Sequence, residues 1–150
     1  MTMSAPGRAG RVATAVLGAS YTAVVLWATL RPLPWATEGD QERYGILDPG
    51  AWIGWSTWAG GSELEIIANV LVFVPIGLAA GLLFRGVVAF ALPVGLTLTI
   101  ELAQIPLVDQ ISHPRDLVAN ASGAVLGLLI AGMVRRSRSA SVQDRHGPVA

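Results

Sequence analysis

Long apolar runs separated by short charged breaks set the plan of this chain. The first run extends from Val12 to Leu30, opened by Arg8 and Arg11 and closed by Arg31-Pro32. At about 1.5 Å per residue it reaches roughly 28 Å, close to the hydrocarbon thickness of a bilayer. A secretory signal peptide also pairs a basic start with apolar residues, but its apolar region runs only about 7–15 residues before a small-x-small cleavage site. Here the run is longer, and Trp27 and Arg31 end it, so a first membrane span is expected. The second run, Leu64 to Phe84, is interrupted by Glu65 and Asn69 and contains Pro75. That proline removes one backbone donor and is expected to bend the helix. Arg85-Gly86 breaks the chain before a third run, Val87 to Val108, which carries Pro93, Glu101 and Gln104. A polar loop, Asp109 to Arg115, leads to the fourth run, Asp116 to Val134. Asp116 is placed to cap it, because a carboxylate at a helix N-terminus accepts orphaned backbone donors. No run shows the polar face of helical period that a soluble bundle needs. The pattern predicts an all-α fold, a membrane helical bundle of about four transmembrane helices. Its membrane domain covers residues 12–134, with a short N-terminus, 1–11, and a disordered tail, 135–150.

Composition agrees with that plan. The chain is 53% hydrophobic and only 13% charged, against about 25% charged residues in ordinary soluble domains. There is no cysteine, which excludes disulfides, thiolate metal sites and cysteine nucleophiles. The net charge of +0 hides a strong asymmetry, and all ten basic residues are arginines. Arg8 and Arg11 precede the first run, Arg85 joins the second and third, and Arg135, Arg136, Arg138 and Arg145 follow the fourth. Arg31, Arg43 and Arg115 lie on the other side, among Glu38, Asp40, Glu42, Asp48, Glu63 and Asp109. Arginine enrichment in short loops marks the cytoplasmic side. A multi-pass protein of the cell membrane, with both termini cytoplasmic, is expected. The outer loop, about 31–62, holds Trp35 and then Trp52, Trp55 and Trp58 at every third position. That spacing suits one face of a short interfacial helix, where the amphipathic indole is favoured.

The informative residues are polar ones inside apolar runs. A central Asp or Arg costs about 2.5–3.5 kcal/mol on insertion scales, so such groups face protein or water. Glu65 and Asn69 stand in the first two turns of the second span, and Gln104 and Glu101 near the outer end of the third. Asp116 and Asn120 occupy the first two turns of the fourth. All six fall in the outer half of the bilayer at overlapping heights. Glu65/Asn69 and Asp116/Asn120 are i,i+4 pairs, and Glu101 shares a stripe with Thr97 and Gln104. Below them run small residues, Gly77 and Gly81 on one span and Gly123, Gly127 and Ala131 on another. Such seams let helix backbones approach closely. Burying the polar stripes together makes an outward-facing pocket roofed by the Trp-rich loop. His113 and Arg115 are the cationic partners within reach of Glu101 in this reading.

The same residues resemble a known family. Asn69-Val-Leu-Val-Phe-Val-Pro75-Ile-Gly77 looks like the N-x-L-x-F-x-P-x-G signature of VanZ-like membrane proteins. Ile100-Glu101-Leu-Ala-Gln104 is similar to that family's I-E-x-x-Q element. The stretch from Asp116 through Asn120 and Gly123 to Gly127 matches its D-x-x-x-N-x-x-G-A-x-x-G element. Tyr21 and Thr29-Leu-Arg-Pro32 resemble the family's start. Each motif alone is weak; three in order with this topology are specific. The chain departs from the pattern at Gln110, where members often carry an arginine about six positions before the aspartate; Arg115 stands beside Asp116 instead. The resemblance implies a multi-pass envelope protein and a link to cell-envelope antibiotics, since the family's founding member is associated with resistance to the glycopeptide teicoplanin.

Three functions compete. A non-enzymatic envelope protein would bind lipid, a wall precursor or a glycopeptide-type drug through Glu65, Asn69, Glu101, Gln104, Arg115, Asp116 and Asn120. A small homodimeric proton-coupled transporter would use the membrane carboxylates as relays. An enzyme is not expected: no serine nucleophile has a base beside it, and neither H-E-x-x-H spacing nor a phosphate-cradling glycine loop occurs. No metal or other cofactor is expected. The expected partners are membrane lipid and an amphiphilic ligand or wall precursor, with a homo-oligomer open and nucleic acid excluded, because the basic tail is short and fits contact with anionic lipid better.

Overall fold

The structure, a computed structural model, describes residues 7–31, 45–60, 62–107 and 112–143, with 138–143 by backbone alone. Trp35, Arg43, Asp109, Gln110, residues 1–6 and residues 144–150 lie outside the described residues. Among the described residues six α-helices follow in order: α1 (Arg8–Leu30), α2 (Pro49–Ile53), α3 (Trp55–Ala59), α4 (Glu63–Leu83), α5 (Gly86–Gln104) and α6 (Pro114–Gln143), with a 3-10 turn at Gly45–Leu47. Four of them, α1, α4, α5 and α6, are long and apolar enough to cross a membrane.

Local chemistry sets the ends of these helices. Ser62 caps α4, its Oγ accepting from Leu64 N at 3.2 Å, with Glu63 and Glu65 in the first turn where the helix dipole favours acid. Asp48 caps α2 in the same way, accepting from Gly50 N at 2.9 Å, with Pro49 at the first helical position. Gly86, at φ 60°, turns the chain between α4 and α5. Helix α4 runs unbroken through Pro75. In the turn before that proline, Val72 O accepts the Tyr21 hydroxyl at 3.1 Å, which ties α1 to α4.

Helices α4 and α6 run in the same direction and form the centre of the bundle. Their seam is made of glycines set against opposing backbone. A Cβ on Gly77 would overlap the Ala124 carbonyl, one on Gly123 the Val70 carbonyl, and one on Gly127 the Val74 carbonyl. Further along, a Cβ on Gly81 would lie 2.6 Å from Ala131 Cβ. With little hydrophobic drive between helices in lipid, this close approach supplies the dispersion contacts that hold them together. Helix α5 packs antiparallel against the pair, and Phe73, Ile76, Ile100, Ala124 and Val25 form the buried core. Helix α1 is peripheral and buries only Val25. Leu17, Val24, Leu71, Val87 and Leu129 stay exposed, as a face covered by lipid does.

Two expectations need correction. The tryptophans of the outer loop do not share one helix: Gly54 ends α2 and opens α3, so Trp52 lies on the first and Trp55 and Trp58 on the second. Trp52 Nε1 donates to Ile46 O at 2.8 Å and Trp58 Nε1 to Trp52 O at 3.0 Å, so the loop folds on itself. Helix α6 also continues past Val134 to Gln143, into the segment read as a disordered tail. Ala140 and the arginines Arg135, Arg136 and Arg138 are compatible with helix, and polarity alone does not end one.

Candidate functional site

The polar residues gather at the end of the bundle where α4 and α6 begin and α5 ends. Arg115 sits in the first turn of α6 and is buried. Its Nη2 pairs with Glu65 Oε2 of α4 at 2.9 Å, and its Nη1 donates to Gly60 O just after α3. Its Nε lies 3.9 Å from Asp116 Oδ1 and, though buried, has no hydrogen-bond partner. Asn69 Nδ2 donates to the same Asp116 oxygen at 2.9 Å. Glu65, Asn69, Arg115 and Asp116 therefore form one continuous network across α4 and α6.

Glu101 of α5 is 2% exposed. Its Oε2 accepts from His113 N at 2.9 Å, and the Ser112 hydroxyl also bonds its carboxylate. Asp116 is close enough for the two carboxylates to interact through space. One turn deeper, Asn120 Nδ2 donates to Thr97 Oγ1 at 3.0 Å, while the buried Asn120 Oδ1 has no partner. Gln104 stands apart. Its Nε2 reaches only Thr29 O of α1, at a long 3.5 Å, so it faces the peripheral helix.

The cationic partners expected for Glu101 are placed otherwise. Arg115 serves Glu65 and Asp116. His113 meets Glu101 through its backbone N–H, and its ring Nδ1 accepts from Arg115 N at 3.3 Å. The sequence reading also missed Ser112 and Gly60, which act through a hydroxyl in a loop and a main-chain carbonyl; neither carries a motif. Thr97 was legible only as a member of the Glu101 stripe.

The outer loop is stitched to this network. Ile46 N donates to Ser112 Oγ at 3.3 Å, which links the 3-10 turn through Ser112 to Glu101. Gly45 makes the approach possible, with φ at 52° and a would-be Cβ only 2.5 Å from Ser112 Cβ. Alanine there must adopt a left-handed backbone costing about 1–2 kcal/mol and must displace Ser112. Gly45→Ala is expected to open this stitch locally, with about 5–30-fold faster amide exchange at Ile46 and His113 and none at the α4–α6 seam. Hydrogen exchange read by mass spectrometry checks it; uniform acceleration along the chain would contradict a local stitch.

Among the described residues one guanidinium, that of Arg115, thus serves two of the three carboxylates, Glu65 and Asp116, and Glu101 is left to hydrogen-bond donors alone. Acceptor oxygens outnumber charged donors, and the arrangement suits a visiting cation or hydrogen-bond donor. Among the described residues no group of three or more His, Asp or Glu has metal-holding geometry.

The sequence is similar to those of known proteins. The family model described as VanZ/LLP1 matches residues 19–135, from within α1 to the far part of α6. Over 90 residues the chain is 30% identical to Protein VanZ of Enterococcus faecium, an alignment that covers 58% of this chain and 56% of that protein. The chain thus spans about half the length of the curated relative it matches. No solved structure matches it. The matched region contains every element of the polar network, the outer loop's Ile46 and Gly60 included, and it carries all three motifs in order; this multi-pass membrane protein belongs to the VanZ/LLP1 family.

Proposed function

We propose that the chain is a non-enzymatic protein of the cell envelope, with both termini cytoplasmic, that binds the polar head of an amphiphile at its outer end. The ligand class is a lipid, a wall precursor or a glycopeptide-type drug, recognised through an ammonium or other donor group. The observation that supports this most is the surplus of carboxylate over guanidinium in a network of intramembrane side chains. Such groups are costly in lipid, and a purely structural network is better served by matched charges. The orphaned acceptor at Asn120 Oδ1 adds a second unmet demand for a donor.

Glu101→Gln keeps the carboxamide's acceptor for His113 N and removes the charge. Asn120→Ala removes the orphaned acceptor. In cells carrying either variant, inserted at normal level, tolerance of glycopeptide-type drugs and photocrosslinking to an amine-bearing lipid analogue are expected to fall about tenfold, the worth of one charge-assisted hydrogen bond. Wild-type behaviour in both variants would defeat the reading. The same surplus of carboxylate supports the second reading, a homodimeric proton-coupled carrier. Uptake driven by a pH gradient in proteoliposomes separates the two, since a binding protein gives none.

A further inference from the structure

Two guanidinium groups from different helices meet at the opposite end of the bundle. Arg11 Nη2 of α1 donates to Leu83 O at 3.5 Å, and Arg135 Nη1 of α6 donates to Phe84 O at 3.1 Å. Both therefore sit on the carbonyl end of α4, and Arg85 follows it directly in the chain and is exposed. The described acidic side chains, Asp48, Glu63, Glu65, Glu101 and Asp116, all belong to the other end. The α4 carbonyls carry only about half an elementary charge, less than the arginines bring to this end among the described residues.

An apolar groove of about 510 Å³ runs along the bundle between α1 and α4 and ends beside these arginines. Thr14 and Leu82 line its near end, one turn from Arg11 and one residue from Leu83 respectively. Leu17, Tyr21, Val24 and Leu78 line its course toward the middle of the bundle. Leu17 and Val24 are largely exposed, so the groove opens sideways to lipid rather than to water. Its volume lies in the range of sites that hold a single small molecule.

We propose that this groove seats one acyl chain of an anionic phospholipid whose phosphate rests on Arg11, Arg85 and Arg135. The charge selects an anionic head group, and the sideways opening selects a molecule that arrives through the bilayer. With the arginine-rich end cytoplasmic, the site faces the leaflet rich in anionic lipid. It rests on that orientation and not on what the outer end binds, so either can fail alone. Arginines that acted only as topological anchors would attract an anionic surface without needing the groove.

The test uses the full chain, reconstituted in nanodiscs of mixed phosphatidylcholine and phosphatidylglycerol, then released and weighed by native mass spectrometry. Wild type is expected to retain one phosphatidylglycerol in preference to phosphatidylcholine. Arg11→Gln is expected to weaken that retention about fivefold, the share of one surface arginine. Ser20→Trp, at an exposed position lining the groove, is expected to expel the lipid while leaving every arginine in place. Leu17→Trp provides a second filling variant should the first not fold. Equal retention of the two lipids overturns the proposal. So does wild-type retention in a folded groove-filling variant, which would mean surface attraction alone. A dimer in place of the lipid adduct, dispersed by Ser20→Trp, also overturns it, because the groove's occupant would be a second copy of the chain.

Discussion

Gly127→Ala and Gly123→Ala are expected to cost about 3 kcal/mol or more each, whereas Gly95→Ala and Gly132→Ala are expected to be neutral or slightly stabilising. All four add one methyl group to a helix in the membrane. At Gly127 the new Cβ meets Val74 O and would lie 2.5 Å from Leu78 N, and at Gly123 it meets Val70 O. These obstacles are backbone atoms of α4, locked into that helix's own hydrogen bonds, so no side-chain rotation relieves the overlap. The helices must separate, and the neighbouring seam at Gly77 and Gly81 loses contact with them. Overpacking costs about 1–3 kcal/mol where side chains can yield and more where they cannot. At Gly95 and Gly132 a Cβ meets nothing within 4 Å, so only the helix propensity of alanine remains, favourable by at most about 1 kcal/mol. Thermal melting of the four variants in one detergent, with the monodisperse fraction by size exclusion, checks the contrast. Four similar melting curves would mean that the α4–α6 seam does not hold the bundle.

That seam shows why most of the fold was legible in the sequence. The four spans follow from length and hydropathy, since only uninterrupted helices satisfy the backbone in lipid. Gly77 and Gly81 on one span, and Gly123, Gly127 and Ala131 on another, announce close packing because small residues at intervals of four have little else to offer a lipid-facing helix. The sequence does not say which seam meets which. The pairing of two parallel helices, α4 with α6 across the intervening α5, came only with the structure. The outer loop was less legible. Regular spacing of Trp52, Trp55 and Trp58 suggested one helix, but Gly54 turns the backbone to an extended conformation between them. The far end of α6 was misread because polarity after Val134 marks the exit from lipid and not the end of a helix.

The site was legible as a set of depths and less so as a set of contacts. Glu65, Asn69, Asp116, Glu101 and Asn120 fall at one end because each lies within two turns of a span terminus on the same side, which counting alone reveals. Gln104 fits the same count but rotates toward α1, and a single residue's azimuth on a span apolar all round leaves no pattern to read it from. Contacts made by main chain, such as Gly60 O to Arg115 and His113 N to Glu101, are invisible to any reading of side-chain types.

Arg115→Met is expected to cost about 3 kcal/mol and to release the outer loop. The guanidinium holds Glu65 Oε2 at 2.9 Å and Gly60 O through separate nitrogens, and its Nε lies 3.9 Å from Asp116. Methionine fills a similar volume but leaves two carboxylates without a cation in a partly buried setting. Removing one partner of a buried pair costs about 3–5 kcal/mol. The lower figure applies because the Glu65 side chain is 53% exposed and can turn toward water. Asp116 cannot do so as readily, although Asn69 still donates to it. Glu65→Gln is expected to cost under about 1 kcal/mol, since it removes only the exposed half of the network. Arg115→Lys is expected to fall between, because one ammonium cannot reproduce a planar fork serving a carboxylate and a carbonyl together. The loop supplies a second readout: with Gly60 O no longer held, amides of α3 exchange faster in Arg115→Met but not in Glu65→Gln. A triple variant, Arg115→Met with Glu65→Gln and Asp116→Asn, should recover part of the melting temperature, since no unpaired charge is left behind. Were Arg115→Met to melt with the wild type and protect α3 equally well, the arginine would be a bystander, and the outer end would be organised by the Glu101–Ser112–His113 contacts alone.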